Sequence, residues 1–156
     1  GALLIRGPQL LMGYTDQRRT DEQMHDGWFD PGDVGRVTVD GWLQITGRTK
    51  DIINRGGEKF SARDIEEALL SHPDIDRAAV TAVPHPRFGE AVAAFIVLTT
   101  AGSWEGPATV SAFLLESGLA KAKIPVEWNV VDQIPVTATG KVQKHLLAQL
   151  RTNVLA

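Results

Sequence analysis

The pattern of apolar and polar positions along this chain changes character near Thr49-Lys50. Before that point the apolar runs are short and β-rich. Leu3 to Arg6 reads as a strand ended by Gly7-Pro8. Asp16 to His25 is polar and helix-compatible, with Gly27 as its stop. Val34 to Val39 and Trp42 to Thr46 are two β-rich runs joined through Asp40-Gly41, the strongest short-range signal for a hairpin. After that point strands and amphipathic helices alternate. Asp51-Ile52-Ile53 reads as a strand and Gly56-Gly57 as a turn. Ser61 caps a helix with Asp64 three residues on, and Ile65, Ala68 and Leu69 share one face of it. Ala78 to Val83 is expected to be a strand stopped by Pro84, and Ala91 to Thr99 a second one. Ala108 to Ser117 reads as a helix and Val126 to Val131 as a strand. A last helix is expected over Lys141 to Leu150, with Val142, His145, Leu146 and Leu150 on its inner side. The expected fold class is α+β: a small sheet-and-helix domain over residues 50–156, preceded by a β-rich segment over residues 1–49.

Composition narrows the function. Of the 156 residues, 43% are hydrophobic and 22% charged, enough apolar content for a packed core. The net charge of −3 argues against a nucleic-acid partner, which calls for a basic face. With no cysteine, disulfides, thiolate zinc sites and a Cys nucleophile are excluded. The absence of cysteine fits a cytoplasmic protein, no apolar run approaches the roughly 20 residues of a membrane span, and no basic n-region with an apolar h-region opens the chain. His25, His72, His85 and His145 are scattered without metal-ligand spacing, so no metal site is expected on these residues. The four tryptophans are dispersed and read as packing, and no Gly-x-Ser-x-Gly elbow is present. The chain opens without Met on what reads as a strand cut by a boundary, and it holds no phosphate-binding loop.

Four positions carry candidate chemistry, each with a plainer alternative. Lys141 follows Gly140 at a loop tip, where it could deliver a point charge to a phosphate or carboxylate, or simply be a solvated lysine at a helix start. Gly56-Gly57 could bind an anion or line a narrow channel, or be an ordinary tight turn. Asp33, between Gly32 and Val34-Gly35, could accept two ribose hydroxyls or bond its own turn. Arg48 could serve a nucleotide or an interdomain salt bridge.

Taken together and in order, these segments resemble the adenylate-forming superfamily, which holds acyl-CoA synthetases, luciferases and the adenylation domains of peptide synthetases. The resemblance covers essentially the whole chain. Arg6-Gly7-Pro8 through Gly13-Tyr14 and Gly27-Trp28-Phe29-Asp30-Pro31-Gly32-Asp33-Val34-Gly35 are similar to two motifs of the large N-terminal domain, with Pro31 where the family has Thr. Gly47-Arg48-Thr49-Lys50-Asp51 resembles the hinge motif, and Gly56-Gly57-Glu58 the loop that enters the site in the thioester-forming state. Pro84 to Glu90 and Leu119 to Pro125 resemble two further segments, the latter with Ala122 replacing the usual aromatic. Pro135-Val136-Thr137-Ala138-Thr139-Gly140-Lys141 resembles the final motif with its catalytic lysine.

The resemblance implies an ATP-dependent carboxylate–CoA ligase. Lys141 would be catalytic, Asp33 the ribose ligand and Arg48 a second nucleotide contact. Lys50 would be the hinge, and Gly56 and Gly57 would line the path of the CoA pantetheine arm. Residues 1–49 would be the end of the large adenylation domain and 50–156 its mobile lid. The cofactors implied are ATP/AMP, CoA and Mg2+, the Mg2+ held mainly by the absent N-terminal domain. The partners implied are a small carboxylic acid and that same N-terminal domain, without which residues 1–156 would be inactive. Self-association through exposed strands is a further expectation. An adenylation module of a peptide synthetase and a stand-alone binding module are the alternatives.

Overall fold

The computed structural model describes residues 1–151; residues 152–156, assigned above to the lid, lie outside the described residues. The chain divides into two compact units, Gly1–Lys50 and Asp51 onward.

The first unit is built from short elements. Helix α1 (Gln17–Gln23) is capped by the Asp16 carboxylate, which accepts from the Arg18 amide. Strands β1 (Met24–His25) and β2 (Trp28–Phe29) form a hairpin whose two turn residues, Asp26 and Gly27, both have positive φ (50° and 78°). Strands β3 (Asp33–Val37) and β4 (Leu43–Arg48) form the second hairpin, expected from Asp40-Gly41. Gly41 has φ 83°, and Thr38 and Trp42 close the loop through a 2.8 Å backbone bond. Residues 3–6 do not form the expected strand. Ala2 and Ile5 instead make isolated bridges to Val34 and Phe29, so the segment lies beside two strands without completing a ladder. Gly35 is buried where a Cβ would come within 2.8 Å of the Gln44 carbonyl oxygen, so only glycine lets the two strands close at the bulge there.

The second unit holds the core. Strands β5 (Ile52–Arg55) and β6 (Glu58–Ser61) form a hairpin through Gly56-Gly57, followed at once by α2 (Ala62–Leu70), capped by Ser61 Oγ. Strand β6 is an element the sequence pattern did not announce. Strands β7 (Ile75–His85) and β8 (Gly89–Leu98) pair antiparallel along their full length. Pro84 does not stop β7: it pairs with Glu90 inside the strand. It is tolerated because β7 is an edge strand, where a missing N–H can face outward. Helix α3 (Pro107–Glu116) leads to β9 (Glu127–Val130), which runs parallel to β8.

Strand β8 is buried from Ala91 to Ile96, and its alternation divides the core. Val92, Ala94 and Ile96 pack with Ile53, Phe60, Ile65, Leu69, Leu114 and Trp128. Ala91, Ala93 and Phe95 pack on the other face with Ile134 and Leu147. The last helix differs from expectation. Lys144–Leu150 is a 3-10 segment, and Lys141 precedes it in a loop. At three residues per turn, Lys144, Leu147 and Leu150 align. Leu147 is therefore the buried residue, and His145, read from the 3.6-residue period as an inner position, is exposed.

Candidate functional site

Asp33 and Arg48 are brought together as directly opposed residues of β3 and β4. Arg48 Nε donates to Asp33 Oδ1 at 2.9 Å, and its Nη2 donates to the Pro31 carbonyl at 3.0 Å. The guanidinium thus holds one carboxylate oxygen and orients the group. The loop before β3 is folded by Asp30, whose Oδ1 accepts from the Gly32 amide at 2.7 Å, with Gly32 at φ 73°. Thr49 closes the base of the hairpin by donating to the Gly32 carbonyl at 2.8 Å. Lys50 is exposed, in a 3-10 turn over Thr49–Asp51 at the junction of the two units.

Gly56 and Gly57 form the two-residue turn between β5 and β6, with φ of 62° and 93°. Two consecutive positive φ values match the twist of a hairpin and favour glycine on conformational grounds. The two glycines differ in surroundings. A Cβ on Gly56 would meet the Phe88 ring at 3.5 Å, whereas a Cβ on Gly57 would meet nothing within 4 Å. The turn is braced from the β7–β8 loop. Gly56 donates to the Phe88 carbonyl at 2.9 Å, and the Phe88 ring stacks on His85 at 4.9 Å. The Arg55 and Arg87 guanidinium groups lie over Phe88, 4.6 and 5.1 Å from its centroid. Arg55 also donates to the Ala122 carbonyl at 2.9 Å, which ties the segment carrying the replaced aromatic to this turn. Arg55, His85 and Phe88 were not singled out as site residues. The signal that could have found them is the Pro84 to Glu90 segment, which packs on the turn rather than standing apart.

Lys141 sits on a different part of the second unit. Val136 and Val142 form a bridge, and Thr137 donates to the Lys141 carbonyl at 2.8 Å. Gly140, at φ 80°, turns the chain by donating to the Thr137 carbonyl at 2.9 Å. Thr137 Oγ1 accepts from the Lys141 amide at 3.1 Å and lies 2.9 Å from Thr139 Oγ1. The Thr-rich run is thus the internal scaffold of the loop, and it fixes the Lys141 backbone while the side chain stays exposed. Among the described residues Lys141 has no ion-pair partner. The loop is flanked by Ile134 and Leu147, both buried against the β8 face opposite that of Ile53 and Phe60. The Gly56-Gly57 turn joins the strands that carry Ile53 and Phe60. The apolar side chains nearest the two features therefore lie on opposite faces of one sheet.

Two more charged groups bear on this unit. Glu127 is almost fully buried and is held by Arg151 and Asn129. Hydrogen bonding from Arg151 keeps its carboxyl below the usual range, against the opposing effect of burial. Lys144, three residues after Lys141, is mostly buried and bonded to Glu66 and the Val80 carbonyl. Among the described residues no three or more His, Cys, Asp or Glu side chains cluster as a metal site, and no helix is long and apolar enough to cross a membrane.

Residues 64–141 match the model of the AMP-binding enzyme C-terminal domain. Over 147 residues the chain is 42% identical to the medium-chain fatty-acid–CoA ligase of Escherichia coli (strain K12), covering 91% of this chain and 25% of that protein. It is 40% identical over 153 residues to the 2,3-dihydroxybenzoate-AMP ligase of Bacillus subtilis (strain 168), covering 96% and 28%. Among solved structures it is similar to o-succinylbenzoate CoA synthetase from Bacillus subtilis in complex with its acyl-adenylate intermediate. There the TM-score is 0.83 at 28% identity, over 94% of this chain and 30% of that one. The chain thus spans about a quarter to three-tenths of the length of the relatives it matches.

Proposed function

The chain belongs to the AMP-binding enzymes and carries their C-terminal domain, and on that premise we propose that it is the mobile lid, with its lead-in strands, of an ATP-dependent carboxylate–CoA ligase. The observation that carries this reading is Lys141. It is an exposed ammonium with no ion-pair partner among the described residues, on a loop whose backbone is closed by its own threonines and Gly140. Such a group is free to meet an anion.

In the first half-reaction an oxygen of the acid attacks the α-phosphorus of ATP. The bond to the bridging oxygen breaks, and pyrophosphate leaves with the electron pair. Negative charge gathers where the carboxylate oxygen meets phosphorus. A positioned cation there lowers the barrier by about 2–4 kcal/mol, the role assigned to Lys141. Asp33, oriented by Arg48, accepts the ribose hydroxyls, since an ionised carboxylate keeps a second oxygen for that purpose. The second unit then turns about Lys50, which withdraws Lys141 and brings forward the Gly56-Gly57 turn. In the second half-reaction the CoA thiolate attacks the acyl carbonyl carbon, and AMP leaves. Gly57 suits the wall of a pantetheine channel because a side chain there would project into open space beside the turn. Mg2+ would neutralise the phosphates of ATP. It would be held mainly by the N-terminal domain that this reading implies.

A second reading is an adenylation module of a peptide synthetase, in which the acceptor is the thiol of a carrier protein; one relative carries AMP and not CoA in its name. One experiment decides among these. Pyrophosphate release is followed in the full-length protein with ATP, magnesium and a panel of carboxylic acids, and thioester formation is then followed with CoA. Acid-dependent release with CoA-dependent thioester supports the ligase. Release without CoA turnover supports the carrier reading. No release with any acid would count against both. The 156-residue chain alone is expected to be silent.

A further inference from the structure

We propose that Lys144 is a positioning residue that tethers the Lys141 loop to the edge of the sheet and to the first residue of the second unit. The functional half of this inference rests on the role assigned above to Lys141.

Lys144 opens the 3-10 segment immediately after the Val136–Val142 bridge that closes the loop. Its side chain is 22% exposed, well below the exposure usual for a lysine, so its charge must be met within the fold. Three groups meet it. Glu66 Oε1 of α2 lies 2.8 Å from its Nζ, the Val80 carbonyl accepts from it at 2.9 Å, and Asp51 Oδ1 lies 3.8 Å away.

The same Glu66 Oε1 accepts from the Val80 amide at 2.8 Å. Val80 lies in the edge strand β7, so its outward N–H and C=O have no neighbouring strand to bond. Glu66 and Lys144 together satisfy both, one from α2 and the other from the segment that follows the loop. An edge strand is thereby closed by an ion pair rather than by another strand. The arrangement fixes where the loop leaves the core.

Leu147 provides the second anchor, one 3-10 turn on, buried against β8. The two anchors differ in consequence. Leu147 holds the segment by burial, whereas Lys144 joins it to α2, β7 and Asp51 at once. Asp51 follows Lys50, the proposed hinge. A turn about Lys50 would therefore carry Asp51, Lys144 and the Lys141 loop as one body, with little slack between pivot and cation.

The test uses the full-length protein with Lys144→Met, which keeps the aliphatic stem but not the charge, and Lys144→Arg, which restores a donor. Two readouts are taken: hydrogen exchange of the peptide spanning 136–143, and the two half-reactions measured separately. With Lys144→Met, exchange over 136–143 is expected to quicken about tenfold. Adenylation kcat is expected to fall about 10- to 30-fold with KM for ATP nearly unchanged, and thioester formation from supplied acyl-adenylate to stay within about threefold. Lys144→Arg should recover most of the adenylation rate. Unchanged exchange over 136–143 would overturn the tether. Equal loss in both half-reactions would make Lys144 a general stability residue and overturn the positioning role. Lys141→Ala run alongside separates the two claims: quickened exchange in Lys144→Met with undiminished adenylation in Lys141→Ala leaves the tether standing and removes the role given to Lys141.

Discussion

The two glycine-turned loops of the second unit solve opposite problems. The Gly56-Gly57 turn is part of the sheet, rigid through its hairpin and braced by the Phe88 ring, and at Gly57 it exposes bare backbone. The Lys141 loop lies outside the strands, is closed by its own hydroxyls and carries a charge that no ion pair meets among the described residues. On the proposed reading, the first loop would act by having no side chain and would need only a fixed backbone, and the second would act through a long side chain and would need a tethered base. The apolar side chains beside them join the clusters on opposite faces of β8, and under the proposed rotation a single unit would offer either feature by turning, with no change in its core.

The sharpest way to break the contrast is to remove the charge. Lys141→Ala is expected to cost about 2–4 kcal/mol in adenylation, measured as pyrophosphate release, with stability unchanged because the side chain is exposed. Next in size is bulk at the bare loop. Gly57→Leu is expected to slow thioester formation on the order of a hundredfold while sparing pyrophosphate release. It also places a β-carbon at φ 93°, a strain of roughly 1–2 kcal/mol that should appear as a lower unfolding midpoint. Gly57→Asn, which tolerates positive φ better, should show less strain and an intermediate thioester rate.

A smaller effect is expected far from both loops. Arg151→Ala leaves the buried Glu127 carboxylate without its guanidinium. It should destabilise the second unit by about 1–2 kcal/mol in denaturant unfolding, a figure kept low because Arg151 is itself 37% exposed. The sign of the pH dependence follows from the lowered pKa of Glu127. Its contribution is present above the ordinary carboxylate value of about 4.3 and is lost as pH falls through the lower folded value. The unfolding temperature of the parent should therefore fall on acidification through that window, and Arg151→Ala should remove this part of the acid loss.

Much of this was legible in the chain because local chemistry agreed with the final packing. Asp40-Gly41 marked the hairpin, Ser61 and Asp64 marked the start of α2, and the apolar run after Ala91 became the doubly buried centre of the sheet. What escaped had tertiary causes. Strand β6 is only Glu58–Ser61, with adjacent Phe60 and Ser61 both buried, so it shows no alternation. Pro84 reads as a stop unless its strand is known to be an edge. The segment after Lys141 has an apolar spacing that fits 3.6 residues per turn, but the bonds of Lys144 to Glu66 and Val80 go with a three-residue period, which buries Leu147 and exposes His145. Of the site, the opposition of Asp33 and Arg48 was not evident from a separation of fifteen residues, nor was the packing of Phe88 on the glycine turn.

The most direct test of the account is to supply Lys141→Ala with preformed acyl-adenylate and CoA and follow the thioester. The account predicts a rate within about threefold of the parent, despite the crippled adenylation, because the lysine acts in only one of the two steps. A loss as large as that in adenylation would contradict it.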